Sequence, residues 1–285
     1  ANYADMKSHG VEFTLNTKNI QRPNFKWETN WTFSYNENEI TNLFTNPRVI
    51  DLLPVEGYPR QGRPVRGLYS IPFAGLNSEG MPVLVNENYE KTVGEVNFSE
   101  VNKTDFLKYE GPVDPKYIGG LDNTFRIHNF KVGIFFTYQF GSKLRLYPSF
   151  SSSYSDLIGM GREFADRWML PGDELVTDIP AIATLRDAQT YPYLERAYNA
   201  YNYSDARVAK GDFIRLKDIY VTYTVPSKWL KNIGFSNASL RLAVSNVALL
   251  YSDKKLKGQD PEFVRSGGVA LPVPRQFTCT LKFGF

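Results

Sequence analysis

The nine residues Phe277 to Phe285, FTCTLKFGF, constrain the fold of this chain most. Phe277, Cys279, Leu281, Phe283 and Phe285 alternate with Thr278, Thr280, Lys282 and Gly284. Successive side chains of a strand point to opposite faces, so the segment predicts one apolar and one polar face. A water-soluble sheet avoids so apolar a strand at an unprotected edge, because it templates aggregation. A membrane barrel accepts it: lipid covers the apolar face, and closure of the barrel pairs the edge. The segment is therefore expected to be a barrel-assembly strand carried by Phe277, Leu281, Phe283 and Phe285.

The same two-residue period recurs along the chain. Val11, Phe13 and Leu15 alternate with polar residues. After a Pro-containing turn at 21–24 come Phe25, Trp27, Thr29, Trp31, Phe33 and Tyr35, opposed by Lys26, Glu28, Asn30, Thr32 and Ser34. Phe130, Val132, Ile134, Phe136, Tyr138 and Phe140 repeat the pattern, with Phe135 out of step on the polar face. Ile219, Val221, Tyr223 and Val225 follow, with a register slip expected near Lys217, and then Leu240, Leu242 and Val244. A hairpin of Gly67–Gly75 with Met81–Val85 is also expected, which gives about nine strands. Short and long connections alternate, so every long loop should emerge on one side, as in outer-membrane barrels. Mean hydropathy is −0.36 and no run reaches the ~20 apolar residues of a membrane helix. Barrel strands are only half apolar and leave no stronger trace. Aromatics make up 15% of the residues, a share that interfacial girdles would explain.

Composition removes other classes of function. A net charge of +3, from 33 basic and 30 acidic residues, gives no reason for a nucleic-acid partner. The single cysteine, Cys279, excludes an internal disulfide framework. His9 and His128 have no nucleophile or metal ligand at a meaningful spacing, and no carboxylate pair forms an acid/base constellation, so neither an enzyme nor a cofactor is expected. Asp253, Asp260 and Glu262 lie in a Lys-rich segment without calcium-loop spacing and are expected to be solvated. Gly119 and Gly267 follow no βαβ pattern, so no phosphate site is expected. Trp168, Tyr191, Tyr193, Tyr198, Tyr201 and Tyr203 gather in the longest loop. They are candidates for contact with substrate or with a lid partner, against the plainer alternative that the loop packs on itself.

Several stretches, in order, resemble SusC/RagA-type TonB-linked outer-membrane transporters of Bacteroidetes. They are HGVEFTLNTKNI (His9–Ile20), YSIPFAGLNSEG (Tyr69–Gly80), YIGGLDNTF (Tyr117–Phe125), FFTYQFGSK (Phe135–Lys143) and DRWMLPGDELVTDIP (Asp166–Pro180). The longest is GDFIRLKDIYVTYTVPSKWLKNIGFSNASLRLAVSN (Gly211–Asn246), joined by GQDPE (Gly258–Glu262) and the final strand. The resemblance implies an all-β fold in which residues 1–285 are the C-terminal part of an antiparallel transmembrane barrel of about 22 strands, the size that carries a plugged lumen. On this reading the plug and N-terminal domains lie outside the sequence. It implies import of oligosaccharides or oligopeptides beneath a SusD-like surface lipoprotein, energised by TonB through a segment outside this sequence. The location implied is the lipid of the outer membrane, with long loops extracellular and the C-terminus periplasmic. The alternatives are a soluble or cell-surface all-β glycan-binding or adhesin module and, less favoured, an outer-membrane enzyme barrel.

Overall fold

The computed structural model describes residues 4–154, 157, 159–230, 234–264 and 274–285. Seven strands form one antiparallel sheet in chain order: β1 (Ala4–Arg22), β2 (Phe25–Leu43), β3 (Tyr117–Ile127), β4 (Phe130–Phe140), β5 (Phe213–Thr224), β6 (Asn237–Ser252) and β7 (Gln276–Gly284). Each pairs with the next, and β1 and β7 are the two edges of the sheet. Pro23-Asn24 and His128-Asn129 close the first two hairpins, and residues 225–236 make the third short connection. The long excursions, 44–116, 141–212 and 253–275, all leave the opposite end.

The expectation of about nine strands therefore falls to seven among the described residues. Gly67–Ser70 pairs with Lys108–Pro112, and Phe73–Leu76 pairs with Pro82–Val85, in small separate sheets inside the first long excursion. These pieces have four or five residues, too short for the ~9–11 of a membrane strand. Gly67 to Ser70 are all buried, with no polar face. Short and long connections still alternate once the two excursions are counted as one.

Register carries the apolar face across the sheet. One row runs Leu15, Trp31, Leu121, Phe136, Leu216 and Ala248 through six strands. Another joins Ile134, Ile219, Val244 and Phe277. The row survives the slip at Lys217, where pairing jumps from Leu216 to Asp218 on both neighbours. Asn246 takes φ +54° on the facing strand, a left-handed conformation that asparagine tolerates. This bulge restores the alternation by moving one residue out of the ladder. On the polar face, Phe135 lies over Gly120 and Tyr220 over Gly133, so close that a Cβ on either glycine would sit 2.9 Å and 2.2 Å from the ring. The out-of-step Phe135 thus fills the space left by a glycine.

The buried core lies almost wholly outside this sheet. Its four apolar clusters draw on the long excursions: Val49, Leu52, Leu53 and Leu84 in one, Met81, Phe150, Leu194 and Tyr201 in the next. Leu144, Leu256 and Val264 form a third, and Leu68, Val113 and Val208 a fourth. The sheet's apolar residues remain open, Phe277 at 78% and Phe285 at 93% exposure. The aqueous loops pack their buried clusters against one another, whereas the strand face is left for a solvent that is itself apolar.

The β1–β2 hairpin extends beyond the rest. Each strand has 19 residues, about twice a membrane span. β3 begins opposite Tyr35, which frees the far edge of β2. The first excursion uses it: Ile40 N donates to Arg63 O at 2.9 Å, and Gly62 N donates to Ile40 O at 2.8 Å.

Arginine at Ile134, on the apolar face, should cost roughly 2–4 kcal/mol near the bilayer midplane. Arginine at Asn30, exposed on the polar face opposite Asp122, should cost far less. Denaturant titration of the two variants of the full-length protein in lipid checks this, and equal losses contradict the face assignment.

Candidate functional site

The long excursions build one body at the end of the sheet, and the aromatic loop lies inside it. Leu194, Ala197, Tyr198 and Tyr201 recur at helical spacing and form the buried face of the helix Leu194–Asn202. That face meets Met81, Phe150 and Ala181. Tyr198 is 1% and Tyr201 0% exposed, so neither side chain can touch a partner, and the plainer alternative of self-packing describes them. Burial drives both phenols well above their ordinary titration range. Tyr198 donates its hydroxyl proton to Ala181 O at 2.5 Å. Tyr201 takes Phe73 and Phe150 edge-on, at 5.5 and 5.2 Å between ring centres.

The other four aromatics divide. Trp168 packs on the same cluster and donates its indole N–H to Glu174 at 2.9 Å. A Cβ at Gly80, which has φ +76°, would sit 2.5 Å from its ring. Tyr191 donates to Glu79 at 2.5 Å and accepts from Asn77 at 2.9 Å. Tyr203 meets Phe98 edge-on and carries the Arg145 guanidinium 5.5 Å above its ring. Tyr193 alone is 45% exposed, with the Arg196 guanidinium 5.1 Å over its ring. Of the six, Tyr193 is the side chain that offers an open aromatic face.

Three buried arginines organise the body. Arg145 donates to the carbonyls of Tyr69 and Ser204, and burial pushes its pKa down to about 10, still protonated near neutrality. Arg207 pairs with Glu163 at 3.2 Å and lies 4.7 Å over Phe150. Arg215, on β5, holds Asp260 at 2.7 Å and Glu262 at 2.8 Å. The expected solvation of the acidic segment is therefore corrected for Asp260, which is buried because a strand arginine pulls it inward. Asp253 meanwhile accepts from the backbone of Lys210 and Lys255. His9 lies 3.9 Å from Glu37 across β1–β2, and His128 sits in its turn at φ +51°. No group of three or more potential metal ligands occurs among the described residues. Gly119 lies within β3, and Gly267 is outside the described residues.

A cleft of about 560 Å³ opens where the first excursion joins the end of β2. Its wall is a ladder of two neighbouring rings, each with a guanidinium over it. Arg60 lies 5.4 Å over Tyr69, Tyr69 and Tyr109 are 5.5 Å apart on paired strands, and Arg63 lies 4.5 Å over Tyr109. Arg60 donates to Thr104 at 2.7 Å and Asp105 at 3.2 Å. The Tyr69 hydroxyl is buried without a hydrogen-bond partner, and desolvation raises its pKa to about 12. No sequence signal marked this ladder, because Arg60, Arg63, Tyr69 and Tyr109 come from segments up to 49 residues apart.

A meander whose apolar face looks outward, whose other face is polar and whose long connections share one end is the wall of an antiparallel transmembrane β-barrel. The comparisons agree. Over nearly its whole length the chain is related to three proteins of Formosa agariphila: TonB-dependent receptor P3 (23% identity; 92% of this chain, 26% of that protein), P39 (23%; 95% and 29%) and P26 (27%; 100% and 30%). Its fold matches the RagAB peptide transporter, with TM-score 0.68, 20% identity and 30% of that chain covered. It also matches the RagAB peptide importer in its closed-closed state, with TM-score 0.70 at 19% identity. No protein-family model matches the chain. The resemblance to SusC/RagA-type TonB-dependent receptors is thus borne out, and the chain spans about 30% of the length of the relatives it matches.

Replacing Asp260 by Ala should destabilise the protein by up to about 3 kcal/mol, because the buried Arg215 guanidinium then keeps only the more exposed Glu262 as a carboxylate partner. Pairing that change with Arg215→Met should recover much of the loss. Thermal unfolding of the single and double variants measures both.

Proposed function

We propose that this chain supplies part of the wall and the outward loop body of a TonB-dependent outer-membrane transporter. The observation that carries the reading is the division of the molecule: an open apolar sheet face, and a loop body at one end of the sheet that holds the buried clusters. A sheet with two free edges needs further strands to close in lipid, where unpaired backbone is costly. Those strands, the plug and the TonB-contacting segment would come from the remainder of the transporter. The loop body is the extracellular end, and the tight turns and the end of β7 are periplasmic. A SusD-like lipoprotein would rest on the loop body, with the open ring of Tyr193 among its contacts. One solved neighbour of like fold is a peptide transporter, and this reading accommodates both oligopeptides and oligosaccharides as substrates. The relatives are named as receptors, in line with a role without catalysis.

The native polypeptide, extracted in detergent, should have an intact mass several times 32.5 kDa. A mass near that value, with no co-purifying barrel chain, overturns the reading. Stable monomers without detergent would favour the surface-module alternative instead. Removing 190–203 would excise the buried helix and collapse the body, so the sharper change is Tyr193→Ala. It should weaken association with the lipoprotein several-fold in a pull-down while leaving thermal stability within about 0.5 kcal/mol, as expected for a surface side chain.

A further inference from the structure

We propose that the cleft beside β2 is a carboxylate-binding subsite for the transported ligand; the inference rests on the transporter reading above. Two guanidinium groups line it, and each lies over a tyrosine ring, at 5.4 Å for Arg60 on Tyr69 and 4.5 Å for Arg63 on Tyr109. A ring takes no N–H of the guanidinium over it, and the planar fork of those N–H groups matches the two oxygens of a carboxylate. Arg63 is exposed, and no carboxylate among the described residues pairs with it. Arg60 uses Nη2 for Thr104 and Asp105, which leaves Nε and Nη1 for a ligand. Tyr69 and Tyr109 hold the two guanidinium groups from paired strands, so the spacing of the two charges is set by the sheet.

Charge selects the class of anion. Two arginines beside one aspartate leave a net single positive charge, which suits a monoanion and disfavours a phosphate dianion beside Asp105. The location favours incoming ligand, since the cleft opens at the loop end of the sheet and is lined by the last residues of β2 and by the strand pair Gly67–Ser70 with Lys108–Pro112. A carboxylate there has two chemical sources: the free end of a peptide, or a uronic acid of a glycan.

The test uses the full-length protein in detergent and two probe pairs. One is tetra-alanine with a free C-terminal carboxylate against its C-terminal amide. The other is tri-galacturonate against its methyl ester. Calorimetry should show the acid of one pair binding about tenfold more tightly than its neutral partner, the size of one charged hydrogen bond. Arg63→Gln should erase that preference while leaving the neutral probe's affinity unchanged, and Arg63→Lys should retain part of it. The pair that shows the preference identifies the source. Equal binding of acid and neutral members in both pairs overturns the subsite, as does an Arg63→Gln variant that weakens both members alike. Uptake by cells is scored separately. Acid preference without uptake sinks the transporter reading and keeps the subsite, whereas uptake without acid preference does the reverse.

Discussion

Every backbone N–H and C=O that lies in hydrocarbon must be paired within the protein, and the rest of this structure follows from that requirement. It favours a ladder in which each strand pairs with the next, and β1 to β7 are such a ladder without a crossover. A meander sends its connections alternately to the two ends, so the tight turns and the long excursions separate automatically. Length then accumulates where space and water allow it. The result is a molecule whose aqueous core and lipid-facing surface are built from different stretches of chain.

That separation explains two features that look opposed. The sheet leaves large aromatic and aliphatic side chains open, while the loops gather theirs into four buried clusters and leave others, such as Leu175 and Leu185, at the surface. In water alone the first would be an aggregation hazard. In a bilayer it is the condition for insertion, and it leaves the loop body to supply its own core. Buried arginines fasten that body: Arg145 to backbone carbonyls, Arg207 to Glu163, and Arg215 from the sheet to Asp260. The last pair matters for shape because it ties the third excursion to the end of β5. Within that body strand pairing holds Tyr69 and Tyr109 side by side, and the cleft is formed beside them.

Much of the wall was legible in the sequence because strand alternation is a local, two-residue property. The apolar rows, the two tight turns, the slip at Lys217 and the one-sided loops can all be read without tertiary information. The count of nine strands failed for a related reason. Gly67–Gly75 and Met81–Val85 carry turn signals and β-formers, and only burial on both faces shows that they belong to an aqueous core. Tyr198 and Tyr201 illustrate the same limit. A cluster of tyrosines has one appearance whether its rings face outward or into a helix interface, and the 3.6-residue period of Leu194, Ala197, Tyr198 and Tyr201 was the signal that could have separated them.

The sequence by itself determined the class of the protein: an amphipathic antiparallel sheet with apolar residues on one face, long loops at one end, and motifs in the order of a SusC/RagA-type receptor. Tertiary structure alone decided which aromatics are buried, that Asp260 turns inward to Arg215, and that Arg60, Tyr69, Tyr109 and Arg63 stack into one wall. The reason is range. Alternation is fixed between neighbours along the chain, whereas an ion pair across 45 residues, or a ladder of rings from separate excursions, exists only once the loops have closed on one another.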